Sequence, residues 1–119
     1  MSVPDPEAFA RRWLDAWNGH DIDAVLAHFA DDATFASPLA IRIIEGSDGR
    51  IRGKQALREY WTEALRRNTS LRFELIDVHV GIDALVINYR NEQGTSVNEV
   101  LIFGSDGLVT EGYACRNDQ

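Results

Sequence analysis

The sequence predicts an α+β fold in which a curved antiparallel sheet wraps around N-terminal helices. Two patterns carry this. In the first half, apolar residues recur at helical spacing, as in Phe9, Trp13 and Trp17, each four apart. In the second half they alternate in runs joined by the turn sequences "NEQG" and "SDG". Helices followed by a meander of strands form layers, with one core between the helices and one sheet face. Such an arrangement leaves room for a pocket.

"PDPEAFARRWLDAWNG" reads as a helix with defined ends. Asp5 caps it, Pro6 suits the first helical position, and Asn18-Gly19 stops it. Asp21 caps a shorter helix with Ile22, Val25, Leu26 and Phe29 as its apolar stripe. "ATFAS" is a short strand and "AIRIIE" a second, followed by the glycine-bearing loop "GSDGRIRG". A third helix runs from about Lys54 to Arg67 and buries Leu57, Tyr60, Trp61, Ala64 and Leu65. Four strands follow: "LRFELIDVHV", "ALVINYR", "SVNEVLIF" and "LVTEGYACR".

A chain of 119 residues fits one domain, residues 1–119, with a single core. Its net charge of -7, with scattered Arg and Lys, opposes binding to nucleic acid or to an anionic membrane. No apolar run is long enough to span a bilayer. The N-terminus lacks a basic segment followed by an apolar one, so no signal peptide is expected. The lone Cys115 cannot form an internal disulfide, which suits a reducing cytoplasm.

Three stretches resemble the nuclear transport factor 2-like superfamily, which includes ketosteroid isomerase and the SnoaL-type polyketide cyclases. "WNGHDIDAVLAHFADDATF" is similar to the family's first two helices and first strand, "GKQALREYW" to the start of its third helix, and "EVLIFGSDGLVTEG" to its last hairpin. The resemblance implies a cone-shaped, cystatin-like barrel with an internal cavity, usually assembled as a homodimer. It does not imply a reaction, because this fold hosts many chemistries.

Set beside ketosteroid isomerase, the resemblance places Ser37, just before Pro38, where that enzyme carries its aspartate base. It places Trp13 at the oxyanion tyrosine and Glu99 at the oxyanion acid. A serine hydroxyl is too weak a base to replace a carboxylate near neutral pH. Nothing in the sequence brings His28 or His79 to it. Isomerisation by that mechanism is therefore not expected.

Glu99 lies in an apolar strand with Val97, Leu101 and Phe103 on its face by alternation. If that face lines a cavity, desolvation raises its pKa and makes it a hydrogen-bond donor. If Asp106-Gly107 forms a two-residue turn, Glu99 pairs with Ala114 and Val97 with Arg116. Arg116 then lies diagonally from Glu99, where an ion pair would hold the carboxylate ionised. Asn88 and Tyr89 face opposite ways, and the length of the "NEQG" turn decides which one looks inward. Tyr113 and Cys115 fall on the outer face, the dimer surface that the resemblance implies. Asp31, Asp32, Asp77 and His79 match no compact metal-ligand spacing.

The expected function is binding of a small, largely apolar organic molecule, without metal or cofactor. Its expected contacts are Trp13, Trp17, Phe35, Ser37, Trp61, Leu101, Asn88 or Tyr89, and Arg116 at the rim. Glu99 is the candidate acid or base if the chain is a cofactor-free isomerase, cyclase, dehydratase or hydrolase. A dimeric scaffold with a filled interior is the remaining expectation.

Overall fold

The computed structural model describes residues 5–118. Helix α1 spans Pro6–Asn18 and α2 spans Ile22–Leu26; Asp5 and Asp21 cap them by accepting the Ala8 and Ala24 N–H groups at 3.1 Å. Gly19 stays right-handed at the end of α1, and the left-handed residue is His20, at φ 54°. Strand β1 (Phe29–Ala36) leads to α3 (Pro38–Ile43), then β2 (Arg50–Arg52), α4 (Lys54–Arg67), β3 (Glu74–Gly81), β4 (Ala84–Arg90), β5 (Ser96–Phe103) and β6 (Val109–Arg116). Among the described residues, no helix is long and apolar enough to cross a membrane.

Two expectations change here. "AIRIIE" falls largely in helix α3 rather than in a strand. Its isoleucines favour a strand, but Ser37-Pro38 outweighs them: Ser37 caps the helix by accepting the Leu39 N–H at 3.2 Å, and Pro38 occupies its first turn. The glycine-bearing loop, in turn, contains β2, which pairs antiparallel with the end of β1.

The six strands lie in the order β2-β1-β6-β5-β4-β3. Neighbours are antiparallel except β1 and β6, which run parallel with Phe35 beside Gly112. Glu99 pairs with Ala114 and Val97 with Arg116, as expected, but through a different turn. Gly104 and Leu108 close a three-residue loop by a 2.8 Å bond, with Gly107 left-handed at φ 82°. The longer loop is offset by a bulge at Thr110, since Phe103 pairs with Val109 and Ile102 with Glu111.

The concave face carries Leu85, Ile87 and Tyr89 from β4 and Val97, Glu99, Leu101 and Phe103 from β5, all buried. Helices α1 and α4 cover it with Trp13, Trp17, Leu57, Tyr60 and Trp61. Gly112 has a specific packing role: a Cβ there would meet the Phe35 ring at 2.9 Å, so glycine lets that ring lie over β6.

Candidate functional site

The helices do not fill the concave face. A cavity of about 500 Å³ remains, walled by Trp13 and Trp17 of α1, Phe35 of β1, Tyr60 and Trp61 of α4, and Phe73. These rings interlock. Trp17 meets Trp61 edge-on at 5.3 Å, Phe35 meets Trp61 at 5.4 Å, and Phe73 lies 4.1 Å from Tyr89 between centroids. Phe73 precedes β3, so strand pairing does not place it. Asn18 does: its side chain donates to the Phe73 carbonyl at 2.9 Å and accepts the Phe73 N–H at 2.7 Å. His20 Nε2 adds a 2.9 Å contact to the Leu71 carbonyl.

Glu99 is a buried ionisable side chain among these aromatic walls, 5% exposed. Its Oε1 accepts the Tyr89 hydroxyl at 3.0 Å, while Oε2 is buried without a partner. Burial pushes its pKa up from 4.5 to about 8, against the opposing effects of the Tyr89 hydrogen bond and the Arg116 charge. Tyr89 is itself raised well above the ordinary phenol range, chiefly by burial and then by Glu99. At neutral pH the carboxyl is therefore mostly protonated.

Two residues of the cavity wall carry further unpartnered donors. The Nε1 atoms of Trp13 and Trp17 are buried with no hydrogen-bond partner. With the Glu99 carboxyl they make three buried polar groups without partners on residues of the cavity wall. Leaving such groups unpaired is costly.

Trp13, Trp17, Phe35, Ser37, Trp61, Tyr89, Glu99 and Arg116 all line the cavity. Two other expected contacts do not. Leu101 is fully buried on Glu99's face but packs in the core. Asn88 lies on the opposite face of β4 from Tyr89 and donates to Ser96, to the Val97 carbonyl and to Asn98 at 2.9–3.2 Å. The expected ion pair also differs. Arg116 holds Asp118 through two 2.9 Å bonds, and it acts on Glu99 only through its charge. Asp118 follows it by two residues and remains partly hydrated, so that pair forms without burying a second charge. Asp31 pairs with Lys54, and Asp77 with His79, on exposed surfaces.

Sequence reasoning missed Tyr60, Phe73 and Arg42 as wall residues. Tyr60 was visible as part of α4's apolar face. Arg42 would have followed from reading Ser37-Pro38 as a helix start. Phe73 depends on a side-chain clamp from a residue 55 positions away, which no local pattern signals.

Residues 10–111 match the SnoaL-like domain family. Among solved structures, a SnoaL-like protein of unknown function from Burkholderia thailandensis E264 is 39% identical, with 98% of each chain covered and a TM-score of 0.90. TerC, co-crystallised with polyporic acid, is 15% identical over 95% of this chain and 92% of its own, with a TM-score of 0.77. A protein assigned as a polyketide cyclase from Sinorhizobium meliloti is 19% identical over 97% of this chain and 99% of its own, with a TM-score of 0.73. The last two likenesses concern the fold alone. No curated protein matches the sequence significantly.

Proposed function

For a chain that belongs to the SnoaL-like family, we propose the binding of a small, largely apolar organic molecule in the internal cavity. One observation carries the reading: a cavity of about 500 Å³ has aromatic walls, and three of its wall residues, Trp13, Trp17 and Glu99, carry buried polar atoms without partners. An apolar body would fill the walls, and an acceptor oxygen would satisfy the donors. The volume speaks against a scaffold whose interior is filled by its own side chains.

The reading is tested by calorimetry with 2-acetylnaphthalene and 2-ethylnaphthalene, which differ in the acceptor oxygen. Both should bind, with the ketone favoured by roughly 3- to 10-fold, the worth of a neutral hydrogen bond. Trp17→Phe keeps a ring but removes the N–H, and should shrink that preference. Failure of both compounds to bind would sink the cavity reading.

A cofactor-free isomerase, cyclase, dehydratase or hydrolase is the second reading. It is favoured by a Glu99 carboxyl that titrates near neutral pH. The same ketone distinguishes the two. In D₂O, acid–base work by Glu99 would exchange the acetyl protons for deuterium, and Glu99→Gln would abolish the exchange. A bound ketone that keeps its protons leaves binding alone.

The assembly we propose is a homodimer through the outer sheet face. That face presents Tyr113, which is 36% exposed, and exposed Cys115 beside Val100, which pairs with Tyr113. Light scattering at micromolar concentration should show a dimer. A monomer throughout that range would remove the role of this face. Cys115 would then be packed between subunits rather than available as a thiol.

A further inference from the structure

Helices α3 and α4 bring a second set of polar groups to the cavity wall, distinct from the three unpartnered groups described above. Ser37 and Tyr60 are 6% and 2% exposed and both line the cavity; burial raises the Tyr60 phenol, and the Ser37 hydroxyl partly offsets that rise. Ser37 Oγ also accepts the Leu39 N–H, a bond that leaves its own proton free to donate. Arg42, in the last turn of α3, lines the same wall, and its charge acts on the Tyr60 phenol.

Three arginines line the cavity among the described residues. Arg67 is held by Glu63 at 2.6 Å and Arg116 by Asp118 at 2.9 Å. Arg42 has no carboxylate partner among the described residues. The cavity's own acids do not supply one. Asp118 holds Arg116. Glu92 accepts from the Asn68 side chain and the Arg72 N–H. Burial keeps Glu99 mostly neutral at neutral pH. A chain of net charge -7 therefore has a cationic side chain left unneutralised beside two buried hydroxyls.

We propose that Arg42, Tyr60 and Ser37 form a subsite for an anionic group, so that the ligand is an organic acid with an apolar ring body. This rests on the cavity-binding reading and narrows it. One guanidinium and two hydroxyls match a singly charged carboxylate, which offers two acceptor oxygens to a planar fork. A phosphate dianion would bring more charge than one arginine offsets in an apolar cavity. The charged and titratable groups that act on Tyr60 are Glu99, Arg116 and Arg42, and the Ser37 hydroxyl acts alongside them. Ionised Glu99 would repel the bound anion, so affinity should fall as pH rises through about 8.

The test compares 2-naphthoate with 2-naphthamide by calorimetry at pH 6, on the full chain. The carboxylate should bind about tenfold more tightly, the size of one charge-assisted hydrogen bond at a partly exposed site. Arg42→Gln changes an exposed side chain outside the core; it should erase the gap and leave naphthamide unaffected. Tyr60→Phe should narrow the gap. Equal affinities in the wild type, or an Arg42→Gln loss shared by both probes, would overturn the anionic subsite while the cavity reading stands. If neither probe binds the wild type, the cavity reading falls and this inference with it.

Discussion

Trp13→Ala should cost about 3–5 kcal/mol of stability, read as a shift in the denaturation midpoint at unchanged slope. Trp13 is 2% exposed and lies in contact range of Trp17, Phe73 and Tyr89, with ring centroids 6.3, 6.2 and 5.8 Å away. Removing it withdraws the shared neighbour of three aromatics and enlarges a cavity that the fold already tolerates. Trp13→Phe should cost much less, because it restores a ring and deletes an N–H that has no partner. The pair of variants separates packing from polarity. If Trp13→Ala fell within the surface range of about 0.5 kcal/mol, helix α1 would not be packing this face onto the sheet.

Glu99→Gln should flatten the dependence of stability on pH. The folded chain holds the Glu99 proton up to about pH 8, whereas an ordinary glutamic acid releases it near 4.5. Between those values the folded state binds more protons than the unfolded one, so wild-type stability falls as pH rises. Below 4.5 the contribution is fully present; above about 8 it has been lost. At about 1.4 kcal/mol per pH unit, the loss approaches 5 kcal/mol as an order-of-magnitude ceiling. Glutamine cannot ionise, and its amide oxygen can still accept the Tyr89 hydroxyl. The variant should match the wild type near pH 4 and exceed it at pH 9. A difference that stayed constant from pH 4 to 9 would mean that Glu99 is not desolvated by the fold, and the assignment of a protonated carboxyl at neutral pH would fail.

Much of the architecture is written in local chemistry. Helix α4 begins at Lys54 and ends at Arg67 as its periodicity indicates, and β4 and β5 coincide with their alternating runs. Inward placement of Glu99 follows from the same alternation. The β5–β6 register is a more instructive case. A two-residue turn would give the same pairing, but the chain makes a three-residue turn and restores the register with a bulge at Thr110. Side-chain alternation fixes which face is buried, and the turn adjusts to it.

What was not legible depends on groups distant in sequence. Tyr89 rather than Asn88 faces inward because β4 pairs with β5 in a register set by the whole sheet. Phe73 reaches the cavity through the Asn18 clamp. Arg116 turns to Asp118 rather than Glu99 because a hydrated partner two residues away costs less than a buried one. Helix α3 is the local exception: the Ser37-Pro38 cap signal stands in the sequence and outweighs the strand preference of the isoleucines that follow.

The parallel partnership of β1 with β6 has a consequence for biosynthesis. Residues 29–36 emerge from the ribosome early, but their neighbour on one side, residues 109–116, is made some eighty positions later. Until then β1 has only the three-residue β2 beside it, and its other edge carries open N–H and C=O groups. Synthesis at about 5–20 residues per second leaves that edge waiting on the order of 4–16 seconds. The half-made chain meanwhile exposes Phe29, Phe35 and the tryptophans that later wall the cavity. The nascent chain is thus open to self-association until β6 arrives.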